Sequence, residues 1–172
     1  MEKNAKLKRI PGIETILTPD MHSITNGVGP LYNYFFPTIK AGLNWLAERC
    51  EEQNGMHVEV KNGGGPIMVD RDTNFILFGS ASILLSRICE YSRAKNVLIS
   101  LEKNGKGITV SVEEDGIGFD AADTDSLLQY SKEHELTRIN DHLRFFGGHL
   151  AVESRKDAGT RVSVTVPTAA LN

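Results

Sequence analysis

The sequence predicts an α+β fold, a two-layer α/β sandwich in which helices pack on one face of a mixed β-sheet. Three observations support this prediction: amphipathic helical segments, short runs of alternating apolar and polar residues, and glycine-rich turns between them. The chain has 172 residues and a net charge of -3, which suits one domain with a single core. This charge offers no basic surface for nucleic acid or for an anionic membrane.

The first half of the chain divides into an irregular segment, a helix and short strands. Residues 1–36 contain several prolines and glycines, so we expect irregular structure or short helices there, and we assign residues 37–172 to the folded domain. Apolar residues at helical spacing predict a helix over about residues 37–53, stopped by Asn54-Gly55. Residues 57–61 alternate like a strand, and Ile67-Met68-Val69 is interpreted as another.

The second half repeats the combination of helix and paired strands. A second helix is predicted from an N-cap at Asp72 or Thr73 through about Tyr91. The alternation that follows predicts a sheet with one face on a core. The remaining elements are strands over residues 97–101 and 108–112, a long loop to about residue 133, a helix over about 136–146 that ends at Gly147-Gly148, and a hairpin of residues 150–152 and 162–166.

Cysteine usage and hydropathy place further bounds on the protein. Cys50 and Cys89 lie in helical patterns without metal-ligand spacing, so we interpret them as buried, reduced thiols. No apolar run approaches the roughly 20 residues that span a bilayer, and the N-terminus lacks the apolar core of a signal peptide. We therefore expect a cytoplasmic protein that makes no membrane contact through this chain.

The segment with a recognisable chemical pattern is Glu113-Glu114-Asp115-Gly116-Ile117-Gly118-Phe119. Alone it is equally typical of a tight turn after a strand. Three more runs accompany it: Gly42 to Glu48 upstream, Gly147-Gly148-His149-Leu150 after the third helix, and Gly159-Thr160-Arg161-Val162 in the last hairpin. Together they resemble the catalytic, ATP-binding domain of sensor histidine kinases, over about residues 37–167. The resemblance is closest to the subfamily that pairs with helix-turn-helix response regulators.

This resemblance implies a histidine kinase-like ATPase fold that acts in two-component signal transduction in the bacterial cytoplasm. It assigns Asp115 as the acceptor for the adenine amino group and Thr160 as its support. Gly116 and Gly118 would let the backbone pass close to the nucleotide. The implied partners are other signalling proteins, either the dimerisation hairpin of a kinase or a response regulator.

Four positions depart from the family pattern on the phosphate side of the pocket. The metal-binding asparagine and a glutamate four residues before it align with Arg87 and Ile83, which supply none of the oxygen ligands that Mg²⁺ needs. Two lid glycines align with Glu133 and Glu135. Each carboxylate would repel a phosphate charge at about 4 Å by about 1 kcal/mol in water, unless both glutamates project into solvent. We expect ATP binding to be weak and magnesium binding to be lost, with Arg87 in the vacated space and paired with Glu133 or Glu135.

The sequence offers no clear phosphoacceptor. Only His22 lies early enough, and the stretch from it to Pro37 is too short and too interrupted for the two helices of a dimerisation hairpin. We expect this chain not to phosphorylate itself, and we assign no catalytic residue. Three functions remain open: an ATP-binding kinase domain with impaired MgATP binding, a non-catalytic signalling module that uses the fold for protein–protein interaction, and a relative of anti-sigma serine kinases. The third also needs the asparagine that Arg87 replaces.

Overall fold

The computed structural model describes Phe36, residues 38–120 and residues 135–168, with residues 135–138 described by their backbone only. The elements in chain order are α1 (Ile39–Asn54), β1 (His57–Asn62), α2 (Arg71–Arg87), a π-helical turn (Ile88–Ser92), β2 (Asn96–Asn104), β3 (Gly107–Glu114), α3 (Glu135–Phe145), β4 (His149–Ser154) and β5 (Thr160–Val166).

The five strands form one mixed sheet in the order β1-β2-β3-β5-β4. Strands β1 and β2 are parallel, whereas the other three neighbouring pairs are antiparallel. Helix α2 packs against α1 and lies on β3 and β5, while α3 contacts β4 and α2. The predicted fold class, a mixed sheet covered by helices, is confirmed.

The alternation in β3 and β5 sends apolar side chains to the helix-facing side of the sheet. All six apolar residues of this set are buried: Ile108, Val110, Val112, Val162, Val164 and Val166. On the other face, hydroxyl pairs link the same two strands, Thr109 to Thr165 and Ser111 to Ser163, each at 2.9 Å between oxygens. The core therefore lies between the central strands and α2. This packing places the end of β3 at one edge of the core.

Local hydrogen bonds set the helix boundaries. Gly55 adopts a left-handed φ of 67° and ends α1 as predicted. Helix α2 begins earlier than predicted, because its N-cap is Asp70 and not Asp72 or Thr73. The Asp70 carboxylate accepts the backbone N–H of Thr73 at 2.9 Å and its hydroxyl at 2.7 Å, which satisfies a free donor of the first turn.

One other sequence-based expectation was wrong, and the predicted end of the second helix near Tyr91 is confirmed with a change of helix type. Ile67-Met68-Val69 forms no strand; Met68 is exposed, while Ile67 and Val69 pack loosely on the core as the chain returns to α2. The α-helical geometry of α2 ends at Arg87 and continues as the π-helical turn to Ser92. Taken together, Arg71–Ser92 is long and apolar enough to cross a membrane by length and composition. The sequence-based expectation was that no apolar run approaches the length that spans a bilayer, so this helix is longer and more apolar than expected. Core helices of soluble proteins meet the same criterion, and 56% of the apolar window is buried in the fold.

Candidate functional site

The glycine-rich turn after β3 is held between two neighbouring segments. On one side, the Ile117 N–H donates to the Ser92 carbonyl at 2.9 Å. On the other, the Asp157 N–H donates to the Ile117 carbonyl at 2.7 Å, and the Phe119 N–H donates to Ser154 Oγ at 2.9 Å. The turn is therefore fixed to the π-helical turn and to the loop between β4 and β5.

The glycines of these runs are required by contacts within the chain itself. A Cβ on Gly116 would overlap the Ser92 carbonyl oxygen. Gly118 has a φ of 52°, and its Cβ would overlap the Arg155 carbonyl oxygen. Gly159 has a φ of 77°, and its Cβ would overlap the carbonyl oxygen of Glu114. The close approach expected of Gly116 and Gly118 is therefore made to the protein's own backbone, whether or not a nucleotide is present.

Asp115 has an exposed side chain whose two carboxylate oxygens accept hydrogen bonds from the start of β2. Oδ1 accepts the N–H groups of Lys95 at 2.7 Å and Asn96 at 2.9 Å, and Oδ2 accepts Asn96 Nδ2 at 2.7 Å. The hydrogen bonds from Asn96 hold the pKa of Asp115 below its ordinary value. In this arrangement Asp115 ties the end of β3 to the beginning of β2.

The acid that lies beside Thr160 is Glu114, which the sequence-based assignment passed over. Glu114 pairs with Thr160 in the β3–β5 register, and it is only 4% exposed. The Gly116 N–H donates to its Oε2, while Oε1 is buried and has no hydrogen-bond partner among the residues that the structure describes. Burial raises the pKa of Glu114, partly offset by hydrogen bonds from the Gly116 N–H and from Thr160. A buried carboxylate oxygen without a donor is costly, and a ligand with an N–H group would satisfy it.

A hydroxyl network supports this carboxylate from β4 and β5. The oxygens of Ser154 and Thr160 lie 2.9 Å apart, and Ser154 Oγ donates to the Gly159 carbonyl at 3.1 Å. Ser154 is the second site residue that the sequence did not single out, since an isolated serine in a hairpin carries no signal of its own.

The spacing of the motif itself identifies Glu114. In a D-x-G-x-G pattern the acid lies two positions before the first glycine, and two positions before Gly116 is Glu114. Asp115 is the variable position of the same pattern. Counted in this way, the pattern favours Glu114 over Asp115 as its acidic residue, and the assignment of Asp115 stays a prediction.

Helix α2 carries the two positions that the resemblance assigns to the phosphate side of the candidate pocket. Ile83 is half-buried against the core, and Arg87, one turn later, is only 6% exposed. The Arg87 guanidinium carbon lies 5.6 Å from the centre of the Tyr91 ring, within the range of a cation–π contact. The Arg87 side chain is therefore buried and does not point to bulk solvent. The sequence-based hypothesis, which places Arg87 in the vacated space, requires this burial.

The side chains of the two lid glutamates lie outside the part of the chain that the structure describes. Glu133 lies outside the described residues, and Glu135 is described by its backbone alone, as the first residue of α3. The pairing of either glutamate with Arg87 stays a prediction. Within the described part of the chain, no group of three or more histidine, cysteine, aspartate or glutamate side chains is arranged to hold a metal ion.

Solved structures of histidine kinase domains share this fold. The ATP-binding domain of PrrB from Mycobacterium tuberculosis matches 77% of the chain and is itself 96% covered, with a TM-score of 0.57 at 14% identity. The histidine kinase domain of the Erythrobacter litoralis EL346 blue-light activated histidine kinase matches 76% of the chain and is 61% covered, with a TM-score of 0.56 at 20% identity. Acinetobacter baumannii AdeS, a histidine kinase, gives a TM-score of 0.57 at 16% identity, with coverages of 76% and 64%.

Curated sequences point in the same direction. The chain is 26% identical over 137 residues to sensor histidine kinase ComP of Bacillus subtilis, which covers 80% of the chain but 17% of ComP. It is 24% identical over 92 residues to an uncharacterised sensor-like histidine kinase of Chloroflexus aurantiacus, covering 53% of the chain and 15% of that protein. The chain thus spans less than a fifth of the length of these relatives. No family model matches it. The predicted resemblance to the ATP-binding domain of sensor histidine kinases is confirmed.

Proposed function

We propose that this chain is a histidine kinase-type ATP-binding domain of two-component signal transduction in the bacterial cytoplasm, with an intact base pocket and an impaired site for magnesium and phosphate. The fold and the relatives support the kinase-type assignment. The observation that carries the rest is the contrast between Glu114, buried with one oxygen free of donors in the described chain, and Arg87, buried where the resemblance places a metal ligand.

The base half of the pocket is assigned to Glu114 and Thr160. Oε1 of Glu114 would accept the amino group of adenine, and the hydroxyl network through Thr160 would hold the carboxylate in place. A hydrogen bond to an ionised acceptor contributes about 1.5–3 kcal/mol. We therefore expect adenosine and ADP to bind through the same base contact.

The phosphate half lacks the means to hold Mg²⁺. This ion needs several oxygen ligands in octahedral geometry, whereas position 83 is an isoleucine and position 87 carries a positive charge. A guanidinium repels a cation but pairs with phosphate through two parallel N–H groups. In the proposed site, Arg87 takes over part of the charge neutralisation, so that nucleotide binding is weak and independent of magnesium.

Titration calorimetry of the full chain with ATP, ADP and adenosine, each with and without Mg²⁺, tests the proposal. We expect weak binding of all three compounds, with no gain for ATP when magnesium is added. Micromolar ATP binding that depends on magnesium would contradict the impaired phosphate site. If none of the three compounds binds, the base pocket assigned to Glu114 is refuted.

A second candidate function is a non-catalytic signalling module that binds a protein partner, such as a kinase dimerisation hairpin or a response regulator. The observation in its favour is an aromatic pair at the end of α3. Phe145 is 87% exposed and Phe146 is 38% exposed, and their rings meet edge to face with centroids 5.4 Å apart. Exposed aromatic side chains of this kind are enriched at protein–protein interfaces. Loss of partner binding on Phe145→Ser, with nucleotide binding absent from the wild type, would favour this function over the first.

A further inference from the structure

The two cysteines meet at the junction between α1 and the π-helical turn. Cys50 lies in the last turn of α1, and Cys89 is the second residue of the π-helical turn. Their Sγ atoms are 2.9 Å apart although the residues are 39 positions apart in the chain, and both are free thiols. Neither belongs to the candidate nucleotide site. Sequence patterns do not predict this contact, since the two cysteines lie in separate helical segments.

The separation of the sulfurs is close to that of a disulfide. A disulfide bond has an S–S distance of about 2.05 Å, so the sulfurs need to approach each other by roughly 1 Å. Cys50 is buried, whereas Cys89 is partly exposed at the edge of the core. Cys89 also lies in a π-helical turn, a feature that is often found at functional sites. The pair is therefore close enough to join and is open to a small oxidant from one side.

The contact between the thiols also favours reaction. The thiolate is the reactive form of cysteine, and the hydrogen bond from Cys89 lowers the pKa of Cys50. The same contact, together with burial, raises the pKa of Cys89. One thiol of the pair is thus more readily ionised while the other stays protonated beside it.

We propose that Cys50 and Cys89 are an oxidation site that closes to an intramolecular disulfide in the presence of hydrogen peroxide. The two thiols lose two protons and two electrons, the S–S bond forms and the O–O bond breaks. Both peroxide oxygens leave as water with the protons of the peroxide and of the thiols. A low-molecular-weight dithiol reverses the step by thiol–disulfide exchange.

The bond would fix α1 to the segment that supports the glycine-rich turn. The π-helical turn ends at Ser92, whose carbonyl accepts the Ile117 N–H. Ser92 Oγ in turn donates to the Ile88 carbonyl at 2.9 Å. Closing a loop of this length restricts the unfolded chain, so the oxidised protein is more resistant to heat. We expect a rise in melting temperature of about 5–15 °C, reversed by dithiothreitol.

The test is peroxide treatment of the full chain, followed by alkylation of free thiols and peptide mapping by mass spectrometry. We expect the wild type to lose both alkylation sites and to yield one peptide that links Cys50 to Cys89, without forming covalent dimers. Cys50→Ser and Cys89→Ser are the matched controls. Each keeps one thiol, and neither is expected to show the rise in melting temperature after peroxide.

Three results would overturn the proposal. The first is full alkylation of both cysteines in peroxide-treated, folded wild type. The second is conversion of either thiol to sulfinic acid without a linked peptide, and the third is a disulfide that forms only between chains. Circular dichroism establishes that each serine variant is folded. If one is not, the peptide map of the wild type alone decides, because it needs no substitution. The result does not depend on nucleotide binding.

Discussion

Two variants that each neutralise one carboxylate, Glu114→Gln and Asp115→Asn, separate two roles. The first role is the proposed hydrogen bond to adenine, and the second is the set of hydrogen bonds that joins the end of β3 to the start of β2. Glu114→Gln keeps the size of the side chain and an oxygen for the Gly116 N–H, but its amide group presents N–H donors where Oε1 was. Two N–H groups that face each other form no hydrogen bond, so the contact with the adenine amino group is lost. The loss of about 1.5–3 kcal/mol corresponds to a roughly 10- to 150-fold weaker Kd for adenosine.

The matched variant, Asp115→Asn, leaves the proposed base contact in place. It keeps one oxygen for the N–H groups of Lys95 and Asn96 and loses the acceptor for Asn96 Nδ2. We expect adenosine binding to be unchanged and stability to fall by about 1 kcal/mol. Calorimetric titration with adenosine measures the first effect, and urea denaturation measures the second. Loss of adenosine binding in Asp115→Asn, with normal binding in Glu114→Gln, would refute the assignment of Glu114.

The pH dependence of stability gives the two carboxylates opposite signs. The pKa of Glu114 is raised in the folded state, so its contribution favours folding at low pH and weakens as pH rises through that raised value. The pKa of Asp115 is lowered, so its contribution is present above its ordinary pKa and is lost as pH falls through the lowered value. Relative to wild type, Glu114→Gln should therefore gain stability as pH rises above about 4, whereas Asp115→Asn should lose stability as pH rises from about 2 to 4, the range below the ordinary pKa of aspartate. Urea midpoints at about pH 2, 4 and 7 measure these differences, and shifts of the same sign in the same pH range for the two variants would contradict the assignment.

Three further predictions concern the phosphate side and the backbone. Ile83→Glu combined with Arg87→Asn restores oxygen ligands on one face of α2, and calorimetry should then show ATP binding that gains from Mg²⁺; an unchanged response to Mg²⁺ would count against the aligned positions. Gly159→Ala places a methyl group on the Glu114 carbonyl at a left-handed φ and should cost more than about 2 kcal/mol of unfolding free energy. Gly105→Ala, where nothing lies within 4 Å, is its control, and equal losses would contradict the proposed overlap. Gly79→Ala within α2 also has free space and should add about 1 kcal/mol of stability in urea denaturation, so a loss there would indicate a contact absent from the fold described.

Periodicity predicted the elements well where burial dictated the pattern. Residues Ile39, Leu43, Leu46 and Cys50 follow a helical spacing and are all buried on α1. Prediction was wrong where a short apolar run had no partner strand: Ile67-Met68-Val69 alternates poorly and lies in a connection. Local spacing cannot distinguish these cases, because a strand exists only when a neighbour supplies its hydrogen bonds.

The site was harder to predict than the fold, because its chemistry depends on single residues. The sequence indicated the glycine-rich turn, and counting positions in the motif favours Glu114 over Asp115. The support from Ser154 could not be predicted, since it arises from the pairing of β4 with β5 across six positions of the chain. The contact between Cys50 and Cys89 likewise depends on how α1 packs against the π-helical turn.

The glycines and the buried acid are unequal evidence for a ligand. Gly118 and Gly159 are needed to avoid overlap with the chain's own carbonyl groups, so a protein with this fold requires them even without a nucleotide. Glu114 is different, because burial raises its pKa and leaves Oε1 without a donor in the described chain. If this position contributed only to packing, an uncharged side chain would cost less free energy to bury there than a carboxylate. The presence of a carboxylate there is therefore the stronger argument for a bound group that supplies an N–H donor, and it makes Glu114 the residue whose replacement discriminates a ligand site from a purely structural turn.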